Sequence, residues 1–343
     1  MRIASYHSNS DIRIEELPTP QIGPGESLVK IHASGICGSD IMEWYRRDKV
    51  PLVLGHEIAG EIAAVGPGVS NIQVGDRVVA SHHVPCLECR YCRRGHETVC
   101  QTLHTTTFDP GGFSQYVRLP QINTRLGVFL IPENVTYEEA SFAEPLACVL
   151  RGQNRANVSA GDTVAVIGSG ISGILHIALA RARGAECIVA ADINEARLPW
   201  AEKFGADITT NDSFSISGLL LDNIGRKADI VILTTGHPKA VQAGFDAADE
   251  GATILFFAPS DPGTTVQINI TDLFFKHDRT VTTTYANSPA DLQQALVLLS
   301  EKKVVVKEMI THRIALDEIQ YGFDLVQHGT ESLKVVVEPN RDH

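Results

Sequence analysis

The stretch PCLECRYCRRGHETVC places Cys86, Cys89, Cys92 and Cys100 at C-x2-C-x2-C-x7-C spacing, taking four of the chain's seven cysteines. Four thiolates from one short loop can close around a single ion, and a tetrahedral sulfur set suits zinc. With every position filled by sulfur no place remains for a substrate. The expected role is therefore structural: a metal that fixes a loop with too few apolar residues to pack by itself. Disulfides or a redox pair suit a reducing compartment less well. An iron–sulfur cluster is a poorer match to the polar RYCRRGHE surroundings.

Cys37 in GICGSD, His56 and Glu57 in LGHEIAG, and Glu144 in AEPLA form a second constellation, of thiolate, imidazole and carboxylates. Such a set binds zinc through fewer than four protein atoms and keeps a position for water or substrate, as catalytic zinc requires. A third pattern, GSGISG, sets Gly168, Gly170, Ile171, Ser172 and Gly173 between an apolar run and a helical one. Glycines there permit a tight turn and close approach to a pyrophosphate, and the helix N-terminus favours the anion. Asp192 ends the next apolar run, where a carboxylate accepts hydrogen bonds from ribose hydroxyls. It would repel a 2′-phosphate, so NAD is expected rather than NADP.

These groups need two kinds of scaffold. Up to about Val149 the chain reads as short β segments (IRIEEL, SLVKIHAS, AGEIAAV, DRVVAS) punctuated by GPGE and VGPGVSNIQVGD turns. After Ala160 strands alternate with helices: DTVAVIGSG, ISGILHIALARARGA, ECIVAADI, then DIVILTTG, ATILFFA and RTVTTTY. That alternation predicts a doubly wound parallel sheet covered by helices. A helix, PADLQQALVLLSEKK, and a strand, SLKVVVEP, finish the chain. The α/β division expected is 1–149, mostly β with the cysteine lobe; 150–286, dinucleotide-binding; and 287–343, a return to the first domain. At 343 residues there is length for two cores.

Hydrophobic residues at 43% and charged residues at 20% are those of an ordinary globular protein. The 29 basic against 41 acidic residues give a net charge of -12, which disfavours nucleic acid and anionic membrane as partners. No signal-like N-terminal segment and no membrane-spanning apolar run is legible, so a cytoplasmic location is expected.

Taken in order, GHEIAGEIAAVGPGVSNIQVGDRV, the four-cysteine lobe, GGFSQYV, AEPLA and GSGISG resemble the zinc-dependent medium-chain alcohol dehydrogenases over nearly the whole chain. The resemblance is strongest to the sorbitol (polyol) dehydrogenases, with threonine 3-dehydrogenases next. It implies a GroES-like catalytic domain, a Rossmann domain and an active site in the cleft between them. Residue by residue, it implies Cys37 and His56 at a catalytic zinc, Glu57 as a direct ligand in the polyol type, and Glu144 as a carboxylate that exchanges with Glu57 or holds water. Cys86, Cys89, Cys92 and Cys100 would hold the structural zinc, giving ~2 zinc per chain. Ser39 would take the substrate's hydroxyl proton. Arg197 would lie over the adenine, although a surface helix charge explains it equally well.

The family's frequent histidine five residues after the metal cysteine is Met42 here, which leaves the outer proton path open and weighs against threonine as substrate. The basic run Arg46, Arg47 and Lys49 reads most simply as a solvated loop. Facing the site instead, it would favour a phosphate- or carboxylate-bearing substrate. The expected reaction is hydride transfer from a secondary alcohol of a polyol, sugar acid or sugar-alcohol phosphate to NAD, in a homo-oligomer, dimer or tetramer. The alternatives are L-threonine 3-dehydrogenase, a zinc-free quinone reductase and a catalytically inactive nucleotide-binding protein. His7, His82, His83, His96, His104, His176 and His237 are given surface or helix roles, and Cys148 and Cys187 core roles.

Overall fold

A computed structural model describes residues 1–341. The chain forms two compact units, Met1–Ala147 with Ala286–His343, and Cys148–Tyr285. The first division falls inside the helix Ala143–Ala156.

In the first unit the strands are β1 (Arg2–Ser8), β2 (Asp11–Glu16), β3 (Ser27–Gly35), β4 (Leu52–Val53), β5 (Glu57–Val65), β6 (Arg77–Ala80), β7 (Tyr116–Leu119) and β8 (Val128–Leu130). The second unit supplies β9 (Thr163–Ile167), β10 (Cys187–Ala191), β11 (Ile208–Thr210), β12 (Ala228–Leu233), β13 (Ala248–Phe256) and β14 (Thr280–Thr283). The chain then returns to the first unit with β15 (Ile310–Ala315) and β16 (Lys334–Glu338).

The larger sheet of the first unit runs β15-β16-β3-β5-β6-β8, with β7 also on β3, and a small sheet runs β2-β1-β4. The hub is β3, which pairs antiparallel with β5, β7 and β16. Its alternate residues Val29 and Ile31 are fully buried against Ile58, Ile62 and Val117, so one face of the strand sits in the core. Glycine is needed where strands converge: Gly35 of β3 lies opposite Glu57 of β5 and Val336 of β16, and a Cβ there would collide with Glu57 and Lys334.

The second unit is a six-stranded parallel sheet, β11-β10-β9-β12-β13-β14. Its central strands, TVAVI in β9 and CIVAA in β10, are buried at every residue. That is why they read as continuous apolar runs and not as alternating ones. The first strand lies in the middle and the chain winds outward on both sides, so the strand order reverses beside β9. The glycine turn follows β9 directly and opens the helix Ile171–Ala182.

Candidate metal and nucleotide sites

The cysteine lobe hangs between β6 and β7. All four Sγ atoms lie within 4.8 Å of one another. Cys89 and Cys92 sulfurs are 3.5 Å apart, and Cys86 and Cys100 sulfurs 3.6 Å. These are too long for disulfides, at about 2.05 Å, and near the ~3.8 Å edge of a tetrahedron built on metal–sulfur bonds of about 2.3 Å. The sulfurs are also the lobe's core: Cys92, Cys100 and Leu103 pack together with Cys86 and Cys89 against them. Backbone N–H groups of Cys86 and Cys89 point to Cys100 and Cys86 sulfurs. Burial and neighbouring sulfurs push the Cys92 thiol up to about 12. Burial also pushes Cys100 up, but N–H groups and Cys86 outweigh it and bring that thiol down to about 6.

Ligand atoms of Cys37, His56 and Glu57 form a second group within 4.8 Å. Cys37 lies in the turn after β3, His56 just before β5, and Glu57 is the first residue of β5, so strand pairing assembles the group. Ser39 donates to the Cys37 sulfur through both N–H and Oγ, at 3.4 Å each. Asp40 is fully buried: one oxygen accepts from the Cys37 N–H at 3.0 Å and the other stands 3.4 Å from His56 Nδ1. Burial pushes the Asp40 carboxyl up, but His56, the Cys37 N–H and Arg46 outweigh it and hold it below its ordinary value. Burial likewise pushes His56 down, while Asp40 and Cys37 reverse that and raise it well above the usual imidazole range. Glu57 is 1% exposed, with one oxygen on Lys334 and the other, Oε1, buried without a partner among the described residues. A thiolate, an imidazole and a buried carboxylate with an unused oxygen are a donor set that fits zinc.

Glu144 is buried in the first turn of its helix and accepts from Asn287 Nδ2 at 2.8 Å. It is not in the three-residue group. His82, given a surface or helix role in the sequence reading, lies instead beside the metal group. Its ring centroid is 4.9 Å from that of His56 and 3.8 Å from that of His83. Burial, then the neighbouring histidines and Arg46, hold His82 well below the ordinary value, and His83 comes down to about 4. Phe108 is buried with its ring 6.0 Å from His82, whereas His104 is exposed.

The basic run divides. Arg47 and Lys49 are exposed, but Arg46 turns inward, donating to the Ser39 carbonyl at 3.3 Å and standing 4.0 Å from Asp40. Met42 precedes a one-turn helix, and Glu43 is an exposed acceptor of the Asn9 N–H. Asp40 and Lys334 went unread in the sequence, although each left a trace. Asp40 stands three residues after Cys37, and Lys334 is a lone cation in the apolar LKVVV run.

In the second unit Gly168 has φ +101, which favours glycine, and a Cβ on it would lie 2.5 Å from Thr234 Oγ1. A Cβ at Gly173 would overlap the Gly168 carbonyl, so that glycine lets the helix pack on the turn. Gly170 differs: the nearest atom to its would-be Cβ is Arg197 Nη1 at 3.8 Å, so packing against protein does not require it. No side chain caps the helix Ile171–Ala182, in which Ile171 and Ser172 form the start. Asp192 is buried just beyond β10. It accepts from the Ser169 and Asn194 N–H groups at 2.7 and 2.8 Å and from Arg197 Nη1 at 3.3 Å. That carboxylate ties the glycine turn to the end of β10.

Comparison with known proteins gives the family. Residues 23–132 match the alcohol dehydrogenase GroES-like domain and residues 172–301 the zinc-binding dehydrogenase domain. Sorbitol dehydrogenase of Bacillus subtilis (strain 168) is 33% identical, with 99% of this chain and 98% of that protein aligned. Galactitol-1-phosphate dehydrogenase from Escherichia coli superposes with TM-score 0.87 at 26% identity, covering 99% of this chain and 100% of the other. A protein described as a zinc-binding dehydrogenase from Sinorhizobium meliloti 1021, bound to NADP, gives TM-score 0.85 at 28% identity over 98% and 99%. An NAD(P)-linked zinc oxidoreductase is the class that these matches define. The chain belongs to the zinc-dependent medium-chain alcohol dehydrogenase family, close to its sorbitol dehydrogenase branch.

Proposed function

We propose that the protein oxidises a secondary hydroxyl of a polyol, sugar acid or sugar-alcohol phosphate, with NAD as hydride acceptor. The observation that carries this reading is the Cys37, His56 and Glu57 donor group beside the Ser39 hydroxyl. Zinc, when bound there, supplies a Lewis acid that lowers the pKa of a substrate hydroxyl. Cys37, His56 and Glu57 are the assigned ligands. Asp40 stands 3.4 Å from Nδ1 of His56, a charge on that side of the ring that favours Nε2 as the ligating nitrogen. Glu144, steadied by Asn287, is the carboxylate that holds water or exchanges with Glu57. Ser39 takes the hydroxyl proton first. Cys86, Cys89, Cys92 and Cys100 hold a second zinc with no catalytic part.

On the nucleotide side Gly168, Gly170, Ile171, Ser172 and Gly173 take the pyrophosphate on the helix N-terminus. Asp192 takes the ribose hydroxyls, and Arg197, held beside it, flanks the adenine side. A buried carboxylate at Asp192 disfavours a 2′-phosphate, which supports NAD even though a similar protein carries NADP. Met42 in place of a relay histidine weighs against L-threonine as substrate.

The test is NADH absorbance across a panel of polyols, sugar acids, sugar-alcohol phosphates, threonine and simple primary alcohols with zinc-replete protein. Turnover confined to the polyol classes is expected. Equal turnover of primary alcohols, or preference for threonine, would reject the substrate class. No turnover with any secondary alcohol would favour the inactive nucleotide-binding protein.

The acidic balance, -12, weighs against nucleic acid and anionic membrane as partners, and a cytoplasmic location is proposed. No helix among the described residues is long and apolar enough to cross a membrane. A homo-oligomer is proposed through the outer edge of β14, the last strand of its sheet, where Val281 is exposed and Phe274 and Phe275 stand exposed just before it. Light scattering should then report a dimer or tetramer that Val281→Lys with Phe274→Asp converts to monomer.

A further inference from the structure

Lys334 is 1% exposed, as rarely happens to lysine without a paired charge. It reaches its partner through the sheet. Two residues before Val336 on β16 it shares that residue's face, Val336 lies opposite Gly35, and Gly35 lies opposite Glu57. Because Gly35 has no side chain, the ammonium meets the Glu57 carboxylate across β3. Lys334 also donates to the Ile36 carbonyl at 3.1 Å, and the Phe142 ring centroid is 5.8 Å from its Nζ. The pair takes Oε2 of Glu57 and leaves Oε1 buried and unpartnered, in a residue whose ligand atom groups with Cys37 and His56.

We propose that Lys334 is a positioning residue that shares the Glu57 carboxylate with the metal and weakens Glu57 as a ligand. The charge balance gives the reason. A thiolate and a carboxylate together cancel a dication, so a zinc bound by Cys37 and Glu57 alone would be a weak Lewis acid; the Lys334 ammonium returns one positive charge to the set. An outer partner that donates charge to a ligand strengthens it, and a cation on the far oxygen does the reverse. The pair also explains why a lysine stands in an otherwise apolar strand and why glycine stands between the two side chains. The inference rests on the assignment of Glu57 to the metal.

Zinc release to a chromophoric chelator from the full-length, zinc-loaded protein tests it, with the lobe zinc as an internal standard for an intact fold. Lys334→Met should slow release of the other zinc about tenfold, within the range for changes in partners of metal ligands. It should also move the visible bands of the cobalt-substituted site. Lys334→Arg, which keeps the charge, should release as the parent does. Unchanged or faster release from Lys334→Met with the lobe zinc retained would overturn the proposal. If Lys334→Met does not fold, the double variant Lys334→Met, Glu57→Gln, which buries no lone carboxylate, should release zinc as Glu57→Gln does. A difference between them would also overturn it. Release from Glu57→Gln identical to the parent would instead remove Glu57 from the metal set, a failure of the underlying assignment and not of Lys334's part alone.

Discussion

The two donor groups of the first unit are assembled by opposite strategies. In the lobe every ligand comes from one loop, Cys86 to Cys100, and the sulfurs with Leu103 are themselves the packed interior. The Cys37 group draws on a turn after β3, the residue before β5 and the start of β5, and is braced by Asp40 and, across the sheet, by Lys334. In one region the donor atoms are themselves the core; in the other a core positions the donor atoms. The difference predicts what each loses when a ligand is removed: the lobe its local structure, the Cys37 group its chemistry.

The sharpest way to break the contrast is a pair of substitutions. His56→Ala should abolish NADH formation while the protein keeps its fold and ~1 zinc. Cys100→Ser should lose the other zinc and expose residues 84–106 to protease, with Cys37, His56 and Glu57 still present. Metal analysis, limited proteolysis and turnover on both proteins check this; loss of the whole fold in His56→Ala would make the two regions alike.

Next in size is the buried pair. Removing one partner leaves an uncompensated charge in the interior, so metal-free Lys334→Met should lose about 3–5 kcal/mol. Denaturant unfolding of the metal-free proteins measures it. A change under 1 kcal/mol would mean that the sheet does not brace the group by this pair.

Asp40 offers a smaller effect. Asp40→Asn keeps the shape and the Cys37 N–H acceptor but not the charge facing His56, and should lower kcat/KM or zinc affinity about 10- to 100-fold. Steady-state rates at saturating zinc, together with zinc titration, separate the two.

The last effect, which leaves activity at neutral pH untouched, lies in the other unit, where His176 is fully buried, its Nε2 has no partner among the described residues, and burial and Arg183 bring it down to about 3. The unfolded chain takes up this proton near pH 6.5 and the folded one only near 3, so between them U binds more protons than N. Stability from this residue is therefore present above about pH 6.5 and is lost as pH falls, by up to about 1.4 kcal/mol per unit. His176→Gln should flatten that part of the acid limb in denaturant unfolding, and an unchanged slope would show that other groups set it.

How much could be read beforehand follows the same contrast. The lobe was legible because its ligands are neighbours in the chain, and the parallel sheet because buried strands such as TVAVI and CIVAA are uninterrupted apolar runs. Cys37, His56 and Glu57 were legible as residues but not as a group with partners. Lys334 meets Glu57 from 277 positions away, and no local pattern records such a pairing. His82 was placed wrongly for a related reason, since its position beside His56 depends on where β6 ends relative to β5. Arg46 read as one of three solvated cations, yet it turns in toward Asp40.

The sequence alone determined the chemistry on offer: four clustered thiols, a cysteine, histidine and glutamate with catalytic-zinc character, and a glycine turn followed by an acidic strand end. Spacing encodes these because each is read within a turn or two of chain. Only the tertiary structure decided that Asp40 faces His56, that Asn287 holds Glu144 and that Lys334 shares Glu57. Those contacts form when elements distant in sequence pack together, and for Lys334 and Glu57 it is strand register that sets which charges are buried together.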